Sequence, residues 1–264
     1  INAAGKKFPG ENLIALCRNV MIGKITPTVA LATCLAGLQF ATAPTASAAA
    51  LKVSVDSVKS GGMLANKYAF CMPAATGHTT GGPNINPSIK WSKGPRGTKS
   101  YAIILYDTDS PAEQREKMNK EGETLTAAVK RRTFNHWVLV DIPPNVRSIK
   151  EGAASHERVL HGKPATPAPA GGVNGLNDYT TATAANPAMK GNYYGYDGPC
   201  PPWNDENLHH YHFSVYALSV KTLHLPKDFD AAAAKEAMKG KILAEGDLVT
   251  VYTQNPAKGA KVGK

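Results

Sequence analysis

A mostly β fold with a few short helices at its edge is predicted by three features of the 264-residue sequence. Its 24 glycines and 19 prolines make about one residue in six a turn former, too many for an all-helical chain. Segments 100–106 (SYAIILY), 136–142 (HWVLVDI) and 210–220 are rich in β-branched and aromatic residues and have the length of strands. One stretch alone, 231–239, has a convincing helix signature, Ala-rich with Asp230 placed to cap it and Gly240 to stop it.

At 42% hydrophobic and 19% charged residues the chain is globular, which excludes intrinsic disorder. Four cysteines exclude a disulfide-dense scaffold. Beyond Met21, Lys24 supplies a positive charge, residues 25–50 carry none, and residues 29–40 are apolar. Ala46 and Ala48 then stand as the small residues of an Ala-x-Ala cleavage site. This is the pattern of a secretory signal peptide from Met21 to about Ala48. Pro27, Pro44 and several polar residues interrupt the run, so a membrane anchor or one long buried helix fits less well. Leu31-Ala32-Thr33-Cys34 offers a weaker alternative, a lipoprotein site at Cys34, but Thr33 suits it poorly. Residues 1–20 are expected to be an upstream extension outside the fold, and residues 49–264 a single domain that is periplasmic or secreted.

That domain keeps 26 basic and 19 acidic residues, a net charge of +7. The lysines are dispersed, as on an ordinary solvated surface. An exported protein is a poor partner for nucleic acid, so an anionic small molecule or an anionic membrane surface is the expected partner. Only Cys71 and Cys200 remain after export, and an oxidising compartment favours a disulfide between them over two separate buried thiols.

Taken in order, Leu51-Lys52-Val53-Ser54-Val55 alternates with period two and predicts a strand. Residues 76–87 read as a loop. Residues 100–106 predict a buried strand, and residues 111–118 a short helix. Residues 136–142 predict a second core strand closed by Pro143 and Pro144. The irregular stretch 163–177 is long for a compact domain, as functional loops are. Strand 210–220, helix 231–239 and a strand from Ile242 to Tyr252 complete the chain.

Polar residues gather where these strands begin and end. Asp107 and Asp109 follow the first core strand, and two acids two apart on an extended chain point the same way, although turn chemistry explains Asp-Thr-Asp-Ser-Pro as well. His136 opens the second strand. At 209–213, His209, Tyr211 and Phe213 share one strand face, while His210, His212 and Ser214 share the other. Three histidines split in this way cannot converge, so no metal site is expected, and His210 and His212 are expected bystanders. Residues 193–205 form a Gly/Pro-rich aromatic loop able to approach a ligand closely.

Together DTDSP (107–111), FNHWVLVDIP (134–143), GLNDY (175–179), GNYYGYDGPCPPWND (191–205) and LHHYHFSVYAL (208–218) resemble the phosphatidylethanolamine-binding protein family, also called Raf kinase inhibitor-like proteins, in its exported bacterial branch. Thr108 stands where the family writes Pro. The resemblance implies an antiparallel two-sheet β-sandwich with short peripheral helices. It implies a small surface pocket for a phosphorylated or other anionic small molecule or a lipid headgroup. Asp107, Asp109, His136, Gly198, Pro199, Pro201, His209 and Tyr211 match the family's pocket residues. It implies no catalytic residue and no cofactor. On this reading, His209 and Tyr211 donate to the anion, and binding strengthens as pH falls through the ordinary histidine range. A hydrolase or metal-assisted phosphoesterase using the same Asp/His cluster is the alternative, and a kinase or protease inhibitor the second. The oligomeric state stays open, with a homodimer an ordinary outcome.

Overall fold

The structure, a computed structural model, describes residues 49–56 and 58–262. The expected signal peptide and upstream extension lie outside the described residues. In chain order the strands are β1 (Ala49–Ala50), β2 (Val53–Val55), β3 (Cys71–Pro73), β4 (Thr79–Gly81), β5 (Ile89–Trp91), β6 (Ser100–Pro111), β7 (Arg131–Ile142), β8 (Ser148–Ile149), β9 (Val173–Asn174), β10 (His209–Leu218) and β11 (Ile242–Tyr252). The helices are α1 (Tyr179–Ala182) and α2 (Ala231–Met238).

Six strands form the main sheet in the order β1-β11-β10-β6-β7-β9, antiparallel except for β1 on β11. A second antiparallel sheet is β2-β5-β8, and β3 with β4 makes a separate hairpin. The two-sheet sandwich is thus present, and the three β-rich segments of the sequence lie side by side at its centre.

SYAIILY is apolar without alternation because both faces of β6 are covered. Tyr101, Ile103 and Leu105 join Trp137, Leu139, Phe213 and Val215 against Val55, Ile89, Trp91 and Ile149 of the second sheet. Ala102 and Ile104 join Val138, Val140 and Leu218 against Ala231, Ala234 and Met238 of α2, with Phe229. Full burial of a large apolar side chain stabilises by about 1.5–3 kcal/mol, so these two layers dominate the stability of the fold. α2 starts where Asp230 Oδ1 accepts from the Ala233 amide at 2.9 Å. The helix is therefore a third layer on the sheet.

Three local expectations fail. Residues 111–118 do not form a helix: β6 runs on to Pro111, and only a 3-10 turn at Arg115–Lys117 follows. The loop 76–87 contains β4, whose Thr79, Thr80 and Gly81 pair with β3. Asp107 to Pro111 is strand, not turn, with a register shift against β7 between Asp107 and Ser110.

Candidate functional site

Two bulges in neighbouring strands build the site. On β6, Asp107 pairs with Phe134 and Ser110 with Arg132, so Thr108 and Asp109 stand opposite Thr133 alone. The extra residue re-phases the strand. Asp107 continues the core-facing row of Tyr101, Ile103 and Leu105, while Asp109 turns to the other side and accepts from the His210 amide and ring at 2.9 Å each. The expectation that both acids point the same way is therefore wrong. On β7, Trp137 pairs with Leu105 and Asn135 with Tyr106, which leaves His136 without a partner on β6. This second bulge turns Arg132, Phe134 and His136 to the side where Asp107 lies.

The result is a cavity of about 410 Å³ at the end of the sandwich core. Asp107, His136, His209 and Tyr211 form its polar floor, and Phe70, Phe134, Tyr179 and Met189 its apolar wall. The Cys71–Cys200 disulfide is present and lies in the wall, tying β3 to the loop carrying Pro201 and Pro202. Of the residues expected in the pocket, Asp109, Gly198 and Pro199 do not line it. The Pro199 carbonyl accepts from the Phe70 and Cys71 amides, and the Gly198 carbonyl accepts from the Tyr179 hydroxyl at 2.8 Å. A Cβ on Gly198 would stand 1.9 Å from the Tyr68 carbonyl oxygen. These residues hold the loop against the core, so that Cys200, Pro201 and Pro202 reach the cavity.

The floor is held by a buried ion chain. His209 Nδ1 lies 2.7 Å from Asp107 Oδ2, and His209 Nε2 lies 3.3 Å from Asp205 Oδ2. Arg131 grips Asp205 with both terminal nitrogens, at 2.5 and 3.0 Å. Burial alone would pull the His209 ring toward its neutral form. The Asp107 carboxylate and the hydrogen bonds to both acids outweigh it and push the pKa up to about 9. His209 is therefore an imidazolium at neutral pH with both N–H groups already engaged. Burial also works against the Asp205 charge, but His209, Arg131 and the Asn207 amide hold it below the usual carboxylate range.

His136 is the opposite case. Burial pulls it below the ordinary histidine value against the attraction of Asp107, so it is neutral at pH 7. Its Nδ1 donates to the Asp197 carbonyl at 2.7 Å, which leaves Nε2 as an acceptor. Asp197 is itself gripped by Asn84 at 2.8 Å, Asn177 at 2.7 Å and Lys163 at 3.0 Å, so the loop behind His136 is rigid. The Tyr211 ring meets the His136 ring edge-on at 5.3 Å. Its hydroxyl has no hydrogen-bond partner among the described residues, and burial keeps it protonated. The floor therefore offers one free donor, Tyr211, and one free acceptor, His136.

Sequence reasoning missed several residues. Asp205, four residues before His209, lies at the end of the Gly/Pro-rich loop 191–205, where nothing local marks it as a partner of that histidine. Arg131 and Arg132 lay just ahead of another motif. Arg115 and Arg158, also on the wall, come from the 3-10 turn and from the loop after β8, and nothing local marks them. Among the described residues no group of three or more His, Cys, Asp or Glu could hold a metal ion.

By class the protein is an antiparallel two-sheet β-sandwich with a small ion-paired pocket at one end. The chain belongs to the phosphatidylethanolamine-binding protein family, whose model matches residues 54–253. It is 32% identical over 178 residues to a UPF0098 protein of Aquifex aeolicus, covering 67% of this chain and 80% of that one. It is 28% identical over 225 residues to UPF0098 protein YbcL of Escherichia coli, covering 85% and 97%. The crystal structure of E. coli YbcL, described there as a new member of the mammalian PEBP family, superposes with a TM-score of 0.56 at 26% identity, covering 78% of this chain and 99% of that one.

Proposed function

We propose that the protein is an exported, non-enzymatic binding protein that holds a phosphoryl-type anion, on a small molecule or a lipid headgroup, in the cavity floored by His136, His209 and Tyr211. One observation carries this reading. Asp107 of the floor and Asp205 behind it are already neutralised by His209 and Arg131, while the Tyr211 hydroxyl stays free to donate. The residues that would repel an anion are masked, and a donor suited to it is not. An anion beside His136 would offset the burial of that ring and let Nε2 take a proton, adding a second donor.

His209 has a different part from the one expected of it. With both nitrogens bonded to carboxylates it positions Asp107 and cancels its charge, and it has no N–H left for a ligand. Its charge also persists to about pH 9, so it adds no pH dependence to anion binding between pH 5 and 8.

Calorimetric titration with inorganic phosphate tests the reading. A hydrogen bond to a charged group contributes about 1.5–3 kcal/mol, so Tyr211→Phe should weaken binding by roughly tenfold to a hundredfold. His210→Ala, on the other strand face, should leave it unchanged. Equal losses in the two variants, or no phosphate binding by the wild type, would sink the proposal. The competing hydrolase reading requires phosphate release from phosphoesters with added divalent metal, and that assay separates the two.

A further inference from the structure

Three guanidinium groups face the cavity without a counter-charge. Arg115, Arg132 and Arg158 all line it, and among the described residues none of them forms an ion pair or donates a hydrogen bond. Arg158 and Arg132 close the two ends of a row of rings. The Arg158 guanidinium carbon lies 4.7 Å from the Phe70 ring centre, Phe70 lies 4.6 Å from Tyr179, Tyr179 lies 5.3 Å from Phe134, and Phe134 lies 5.6 Å from the Arg132 guanidinium carbon. The Nε of Arg158 is buried with no partner. A buried donor left without a partner destabilises a fold, more so when charged, and such a group in a native structure asks for an explanation.

Neighbouring Arg131 shows what a structural arginine looks like here. It bonds Asp205 twice and the carbonyls of Asp109, Val129 and Thr126. It also completes a chain of alternating charges, Asp107, His209, Asp205 and Arg131, that sums to zero. The three wall arginines therefore stand as uncompensated positive charge around a neutral floor.

Resting on the binding reading above, we infer that the ligand is a doubly charged phosphomonoester with no cationic group. At neutral pH a phosphomonoester carries about −1.5 to −2 charges and three acceptor oxygens, which suit the planar forks of arginine. A phosphodiester carries a single charge and leaves most of the wall charge unanswered. An ethanolamine headgroup adds an ammonium that would face guanidinium groups, because Asp107 and Asp205 are already taken by His209 and Arg131. Phe70, Phe134 and Met189 leave apolar surface beside the charges for the rest of the molecule. The same monoester chemistry occurs on a soluble metabolite and on a phosphatidate-type lipid.

The test compares glycerol 3-phosphate with glycerophosphoethanolamine by calorimetry. In parallel it compares vesicles of phosphatidylcholine doped with phosphatidate against vesicles doped with phosphatidylethanolamine by co-sedimentation. The monoester should bind at least tenfold tighter than the zwitterionic diester. That preference should fall below threefold in the Arg132→Gln/Arg158→Gln double variant and survive in Arg96→Gln, an exposed arginine outside the cavity. Thermal melts verify that each variant is folded. Tyr211→Phe should weaken both soluble ligands together without changing their ratio. Retention on phosphatidate vesicles identifies the lipid source, and binding of the soluble ester alone identifies the metabolite. Equal or tighter binding of the ethanolamine diester, or a preference that survives in the double variant, would overturn this inference and leave anion binding standing. Failure of every phosphoryl compound to bind would overturn both.

Discussion

The two faces of β10 place histidines one residue apart in opposite surroundings. His209, on the inner face, is fully buried, bonded to two carboxylates, and charged up to about pH 9. His210, on the outer face, is exposed and reaches only Asp109, and His212 beyond it stacks on Tyr106 and bonds Asp247 at 2.7 Å. All three have an acidic partner at hydrogen-bond distance. The lesson is that a partner's identity does not set the strength of an ion pair. Water screens the outer pairs to a few tenths of a kcal/mol, whereas the inner chain must be complete because its members cannot be solvated.

Four measurements would break or sharpen that contrast. The largest effect is expected from the inner wall itself. Cys71→Ser with Cys200→Ser opens a cross-link between residues 129 apart in the chain. Loop-closure entropy puts the loss at about 4–5 kcal/mol, read by denaturant unfolding, and phosphate binding should weaken with it. An unchanged midpoint would mean that the wall is held by packing alone.

Next, His209→Ala strands Asp107 and Asp205 without their shared cation and should cost about 4 kcal/mol. A loss under about 1 kcal/mol would place the inner chain in the same class as the outer pairs.

The third is a pH effect. The folded pKa of His209 lies above its unfolded value, so the stability from its charge is complete below about pH 6.5 and is lost as pH rises through about 9. The loss should be on the order of 3 kcal/mol and should disappear in His209→Ala. Denaturant unfolding between pH 6 and 10 measures it, and a flat wild-type profile contradicts the buried ion chain. The smallest effect is His210→Ala, expected to cost less than about 1 kcal/mol because its pair with Asp109 is exposed to solvent.

Much of the fold was legible because it depends on local periodicity. Continuous apolar runs mark strands sealed on both faces, the Asp230 cap and Ala-rich run mark α2, and alternation along β10 separates His209 and Tyr211 from His210 and His212. These signals come from neighbours within a few residues, and they survive in the sequence. What failed was what a bulge can reverse. Strict alternation would place Asp109 beside Asp107 and His136 beside Val138, and one extra residue on each strand turns them about. A bulge leaves no clear mark in composition, because it is set by pairing with a strand tens of residues away.

The same division runs through the site. The residue types that could hold an anion follow from the sequence alone, because they are a matter of side-chain chemistry. Which histidine carries the charge was decided only by tertiary structure. Asp107 lies 102 residues from His209 in the chain and Asp205 only 4, and the approach of both carboxylates in a dry interior raises one ring above neutral pH while burial lowers the other. The gathering of Arg115, Arg132 and Arg158 around one cavity is likewise a product of folding, since they come from three separate segments that only the tertiary structure brings together.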